Sequence, residues 1–340
     1  MAKAIVKDTG FTVLHEGHPN PELDIVFVHG LQGHPEKTWT SFSQPSRDKV
    51  SPQAKYPKPC LVPRISCHRK KTQRTKTDLV PGGSHIEGGI HINGDDKVFW
   101  PEPLLSKHEY CVNSRIMTYS YDSNIIQFVK TANFSTISGE GESLLNGLAR
   151  VREDCNRRPL MLIAHSVGGL IVKSALNLSK TKKAEDLSAV MKSVFAIIFF
   201  GTPHRGSSMA EFGKTVARLV SVLTMKPYND RIVKNLKQNS EILMYLRKDF
   251  EETVDKMIGY GCYESSTFQE NRGYSGLPGF QNKVVDDDSS EDGKKDRNDH
   301  INRNYMNMCK FYGVDDPEYE KVVGEIRRHI NRIRNRTSEH

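Results

Sequence analysis

Leu160-Met161-Leu162-Ile163-Ala164-His165-Ser166-Val167-Gly168-Gly169 is the stretch on which the architecture turns. The apolar run after Pro159 predicts a buried strand over Leu160 to Ala164. A sharp turn at His165-Ser166 then leads into a helix over Gly168 to Leu178. A serine on such a turn, with small residues two before and two after it, forms a nucleophile elbow. Here alanine replaces the first glycine of G-x-S-x-G. Strand and helix nearly collide at this point, which is why the flanking residues must be small. The turn would expose the Ser166 hydroxyl at a helix start, where the dipole and free N–H groups favour a developing oxyanion. An ordinary strand–helix turn that happens to contain serine is the plainer reading. The strand before, the helix after and the paired glycines favour the elbow.

Working outward, Asp24-Ile25-Val26-Phe27-Val28-His29-Gly30 reads as a parallel strand buried on both faces. Ser114 to Tyr121 reads as a second strand, and Glu140 to Cys155 as a helix with Leu144, Leu145, Leu148 and Val151 on one face. Ser193 to Phe200 is a further strand that stops at Gly201. Residues Met209 to Lys256 read as helices forming a cap. Met257 to Tyr263 and Lys283 to Val285 read as two more strands. Asp316-Pro317 opens the last helix, with a capping carboxylate and proline at the first helical position. Strands alternating with helices predict a mostly parallel sheet covered on both faces, and such sheets bind ligands beyond their carboxyl ends. The fold class expected is therefore α/β, an α/β-hydrolase fold with a helical cap. Its domain runs over 24–336 behind an N-terminal segment of 1–23.

That domain is interrupted. Residues Gln44 to Lys97 carry 11 Lys/Arg against 5 Asp/Glu, which supplies most of the net charge of +8. Six prolines, two Gly-Gly pairs and no apolar period mark 44–96 as a basic, disordered insertion. Arg69, Lys70, Lys71, Arg74 and Lys76 could be read as a nucleic-acid patch. They lack interleaved aromatics, so a solvated tract is preferred and no nucleic-acid partner is expected. The six cysteines form no Cys-x-x-Cys pair and are read as reduced thiols, with no metal site. No apolar run is long enough to span a bilayer, and the N-terminus lacks the apolar core of a secretory signal. The default placement is the cytoplasmic side.

His29-Gly30-Leu31-Gln32-Gly33 follows the first strand. In an α/β-hydrolase such a loop supplies one backbone N–H of the oxyanion hole, here that of Leu31. The other comes from Val167, after the nucleophile. His29 itself is read as a loop-ordering residue.

Val28-His29-Gly30-Leu31 through Lys37-Thr38-Trp39, Ala164 through Lys173, and Phe199-Phe200-Gly201-Thr202-Pro203-His204-Arg205-Gly206-Ser207 together resemble the serine-active-site-containing proteins. These are lipase-like hydrolases related to GPI inositol-deacylase. Asn307-Met308-Cys309-Lys310-Phe311 continues the resemblance. It implies a Ser–acid–His triad in that chain order, an ester or lipid-linked substrate, and no cofactor. It also implies peripheral contact with mitochondrial or endoplasmic-reticulum membranes. For the acid, Glu264 in Cys262-Tyr263-Glu264 matches the family's Tyr-Glu at a strand end. Tyr305 occupies the family's histidine position, three residues before Met308. A phenol with a pKa near 10 is a poor general base at neutral pH, where an imidazole near 6.5 is well suited. Two residues are candidate replacements: His300, five positions upstream, whose plainer reading is an exposed loop histidine, and His204, at the end of the fourth strand, in a motif the family treats as separate from the triad. Two functions follow from the resemblance: a serine esterase acting through an acyl-enzyme on Ser166, or a pseudohydrolase that keeps the fold and serves as a binding module. Oligomeric state leaves no trace in the sequence.

Overall fold

The computed structural model describes residues 4–42, 97–123, 134–204, 209–224, 240–260, 263–273, 283–285 and 297–337. The basic insertion lies outside the described residues. Met1–Ser43 and Lys97–His340 make up one compact unit.

Nine strands are described: β1 (Gly10–His15), β2 (Leu23–Val28), β3 (Thr40–Phe42), β4 (Lys97–Phe99), β5 (Ser114–Ser120), β6 (Leu160–His165), β7 (Val194–Phe200), β8 (Glu264–Glu270) and β9 (Arg297–Ile301). Seven form one sheet in the order β1-β5-β2-β6-β7-β8-β9. β1 runs antiparallel to β5, and every other neighbour in that sheet is parallel. Six helices are described: α1 (Phe134–Val151), α2 (Gly168–Thr181), α3 (Glu185–Ser193), α4 (Met209–Thr224), α5 (Ser240–Gly259) and α6 (Pro317–Thr337). Every residue of β2 and β7 is buried, so both faces of the sheet are covered. This is the expected α/β-hydrolase architecture.

The structure corrects several boundaries. The N-terminal segment is not merely a leader to the domain, because Gly10–His15 forms the antiparallel edge strand β1. Met257 to Tyr263 is not a strand: Met257 and Ile258 belong to the last turn of α5, and the strand begins only at Glu264. Lys283 to Val285 forms no strand, and the last strand is β9. Part of the expected cap also lies elsewhere, since α5 packs along α2. There the Asn177 amide donates to the Leu246 carbonyl (3.0 Å) and the Thr253 hydroxyl to the Asn177 side-chain oxygen (2.7 Å).

β3 and β4 form a separate two-stranded ribbon, with Phe42 opposite Lys97 and Thr40 opposite Phe99. This ribbon leads into an aromatic cluster in which Phe27 meets Trp39 and Trp100 edge-on, each at 5.1 Å, and Trp100 meets Phe311 at 5.2 Å. Such rings combine a large buried area with edge-to-face attraction. They tie β2 and the ribbon to the chain just after Tyr305.

At the amino end of the sheet, buried Asp24 receives three guanidinium groups. Arg115 binds it with two parallel bonds of 2.9 Å, Arg158 at 3.0 Å, and buried Arg152 completes the set. Asp24 thus joins β2 to β5 and to the α1–β6 connection.

Candidate active site

A sharp strand-to-helix turn is present at Ser166, between β6 and α2. β6 ends at His165, and Ser166 takes φ +59°, a left-handed conformation that is costly for a side-chain-bearing residue. Three hydrogen bonds hold it there. The Ser166 N–H donates to the Phe200 carbonyl (2.9 Å), while its own carbonyl accepts from the Gly169 N–H and the Thr202 hydroxyl, each at 3.0 Å. Two glycines permit the close approach. A Cβ on Gly30 would stand 2.4 Å from Ser166 Cβ, and one on Gly168 would stand 2.3 Å from the His29 carbonyl oxygen. The His29–Leu31 loop therefore lies directly against Ser166. Among the described residues, no acceptor takes the N–H of Leu31 or Val167.

The base position is different. Tyr305 is 1 % exposed, like Ser166, and its ring lies over Gly201 and against His165 (ring centroids 5.2 Å apart). Its phenol faces the Ser166 side chain. That contact lowers the phenol's pKa, but burial outweighs it and holds the value well above that of a free tyrosine. Neither hydroxyl has a hydrogen-bond partner among the described residues. The loop carrying Tyr305 is pinned on both sides: Arg303 pairs with Asp316 (2.5 Å), and the Trp100 indole donates to the Cys309 carbonyl (2.9 Å). Asp316 also caps α6 through the Glu318 N–H (3.1 Å).

Glu264 is not brought to this site. It starts β8, level with Ala196 and hence with Met161, five residues before Ser166. At about 3.3 Å per residue the offset along the strands is roughly 16 Å. There Glu264 pairs with Arg328 (2.7 Å), with Arg332 and with His329 Nδ1 (3.2 Å) on α6. His329 Nε2 in turn meets the Ser266 hydroxyl at 3.1 Å, so Ser, His and Glu do assemble, but in a sealed place. Ser266 is 2 % exposed, His329 is 0 % exposed, and the Ser266 hydroxyl is already bonded to Glu325. The cluster clamps α6 to the sheet. Glu264→Gln is expected to cost about 1–2 kcal/mol of stability, read as a lower urea midpoint, and to leave the chemistry of Ser166 unchanged.

His300 is likewise placed elsewhere. It sits within β9 opposite Gln269, one position before the pair Glu270–Ile301, and so points to the other face of the sheet from Glu270. Two further histidines near the nucleophile are neutral at physiological pH. Burial pulls His29 down to about 4 and His165 down to about 3. The His29 ring stacks on Tyr121 at 4.4 Å, in keeping with an ordering role for the loop.

Glu270, a residue outside the sequence expectation, does reach the site. Two residues before it, Phe268 is level with Phe200 and His165, so Glu270 stands at the carboxyl end of the sheet. Its Oε2 accepts the Tyr305 N–H at 2.9 Å, and its Oε1 accepts the N–H groups of Val284 and Val285. Burial raises its pKa to about 7 against the lowering effect of those three donors. The sequence signal was slight: Phe268 is the one apolar residue of the strand, two before Glu270 and the turn-forming Asn271-Arg272-Gly273.

A carboxyl whose pKa rises on folding favours the folded state most when protonated. Its contribution is therefore lost as pH climbs from about 4.5 to about 7. Glu270→Gln is expected to flatten the fall of the urea midpoint across that window. An unchanged slope would show that Glu270 titrates normally.

Residues 89–251, which include the whole elbow, match the family described as "Putative serine esterase (DUF676)". The human protein SERAC1 is 26% identical over 330 residues, covering 94% of this chain and 41% of its own length. The zebrafish (Danio rerio) SERAC1 is 27% identical over 250 residues, covering 70% of this chain and 31% of its own. The chain is thus similar to that family over 89–251 and to the SERAC1 proteins over much of its length. The chain spans about two fifths or less of the length of these curated relatives. Two solved structures are also similar. The mature lipase BlEst2 of Bacillus licheniformis has a TM-score of 0.44 at 15% identity, over 87% of this chain and 91% of that one. A lipase-esterase related protein from Clostridium acetobutylicum has a TM-score of 0.41 at 10% identity, over 96% and 100%. Among the described residues, no helix is long and apolar enough to cross a membrane, and no cluster of His, Cys, Asp or Glu could hold a metal ion.

Proposed function

We propose that this SERAC1-related domain is a serine-hydrolase scaffold whose acyl transfer at Ser166 is throttled by Tyr305. The observation that carries this reading is the buried phenol beside Ser166, at the position where the family resemblance implies an imidazole. In the reaction the scaffold is built for, Ser166 attacks an ester carbonyl and the Leu31 and Val167 amides hold the oxyanion. A base beside Ser166 takes the hydroxyl proton and passes it to the leaving alcohol, and water later releases the acyl group. Glu270, at the carboxyl end of β8, is the acid that would orient that base. Glu264 and His300 stand too far along the sheet or on its other face to share the work.

The substrate class suggested by the motifs is an ester, lipid or lipid-linked, with the domain meeting a membrane peripherally. That setting, at mitochondria or the endoplasmic reticulum, rests on the resemblance alone.

Fluorophosphonate labelling of the native chain, read by intact mass beside Ser166→Ala, tests the reading. Slow stoichiometric labelling that Ser166→Ala abolishes, with no measurable p-nitrophenyl acetate turnover, is the expected result. Rapid turnover by the native chain would overturn it, because a working base would then stand beside Ser166.

A further inference from the structure

A concavity separate in its residues from the Ser166 site lies between β1, the carboxyl end of β5 and α1. Its volume is about 830 Å³, the size of a small-molecule site. Phe11, Tyr119 and Tyr121 supply aromatic walls. Phe11 and Tyr119 are 4.8 Å apart, and Tyr119 and Tyr121 stack at 6.2 Å. One stripe of α1 completes the lining through Glu140, Ser143, Gly147 and Arg150, spaced by three, four and three residues. Gly147 lets the helix approach closely, since a Cβ there would stand 2.8 Å from the Phe11 ring.

Charges of both signs converge on this space. Lys7 and Arg150 are cations, while Glu140 and Asp122 are anions. Among the described residues, the side chains of Lys7, Glu140 and Arg150 form no ion pair. Glu140 is held above the usual carboxylate range by partial burial and by the neighbouring Asp122 charge. A cation placed beside the two carboxylates would relieve both effects, and the aromatic walls suit an alkylammonium in particular. Glu140 and Arg150 lie about 15 Å apart along the helix axis. Both line the cavity, which leaves room for a ligand that carries both charges.

We infer that this cavity binds a zwitterion of the phosphate–alkylammonium class, its ammonium against Glu140, Asp122 and the aromatic rings, its phosphate against Arg150 and Lys7. Such a group occurs free in solution and as a lipid headgroup. The site does not depend on the chemistry of Ser166. It has one structural link to the oxyanion loop: Tyr121 stacks on His29, and its hydroxyl donates to the His29 carbonyl at 2.9 Å.

Calorimetric titration of the full chain with phosphocholine tests the inference, with choline and inorganic phosphate as half-ligands. Saturable one-to-one binding is expected, tighter than to either half. Glu140→Gln and Arg150→Gln should each weaken it about tenfold, with circular dichroism showing both variants folded. Arg150→Gln should spare choline and Glu140→Gln should spare phosphate. Flotation with phosphatidylcholine vesicles separates the sources: co-flotation lost in both variants assigns a lipid headgroup, and phosphocholine binding without co-flotation assigns a soluble ester. No saturable heat in the tens of millimolar would overturn the inference, as would equal affinity in the native chain and both variants.

Discussion

Tyr305→His is expected to raise kcat/KM for a short p-nitrophenyl ester by about 10²–10⁴ at neutral pH, the usual worth of a positioned general base. The phenol already faces Ser166, so an imidazole from the same backbone position enters a prepared space. The loop need not move, because Arg303–Asp316 and Trp100–Cys309 hold it from both sides. Glu270 already receives the N–H of residue 305. Adding Ser166→Ala to Tyr305→His should abolish the gained activity. Adding Glu270→Gln should remove most of it, while adding Glu264→Gln should not. The pH–rate profile of the single variant should rise through an apparent pKa near that of histidine. A Tyr305→His protein that is folded and labels with fluorophosphonate, yet gains no turnover, would refute the idea that the base alone is missing.

Asp24→Ala is expected to produce the largest loss of stability. The carboxylate is fully buried and neutralises a site that holds Arg115, Arg152 and Arg158. Removing it strands three guanidinium groups, one of them buried, with no carboxylate to offset their desolvation. Breaking a buried pair by deleting one partner typically costs about 3–5 kcal/mol. Urea denaturation of native and variant chains measures this directly. A loss under about 1 kcal/mol would mean that the three arginines relax into water and that the cluster contributes little.

Much of the fold was legible because three strands announce themselves. Asp24–Val28, Leu160–Ala164 and Val194–Phe200 are apolar at nearly every position, as befits strands buried on both faces. The elbow was legible for a different reason: steric crowding at a strand–helix turn restricts the neighbours of Ser166 to small residues. β1 was missed because Gly10–His15 is a half-buried edge strand with only a weak alternation. The error that mattered most came at β8. Met257-Ile258 looks like the start of a strand but is the last turn of α5. The true strand, Glu264-Ser265-Ser266-Thr267-Phe268-Gln269-Glu270, is largely polar despite being buried. Its polar groups are satisfied by partners distant in sequence, Ser266 by Glu325 and His329 among them, and no local pattern shows that. Placing the strand seven residues too early set Glu264 at its end and hid Glu270.

The ribbon of β3 and β4 has a consequence for how this chain can be altered. Phe42 and Lys97 face each other across an antiparallel ladder, so the two chain ends that flank the insertion lie side by side. A two-residue turn such as Asn-Gly could join them directly. The domain is thus topologically whole without the 54 positions between those residues, and the junction is a natural port. Cargo of quite different length could be grafted there, or the native stretch cut away, while the parallel sheet and its elbow keep their connectivity.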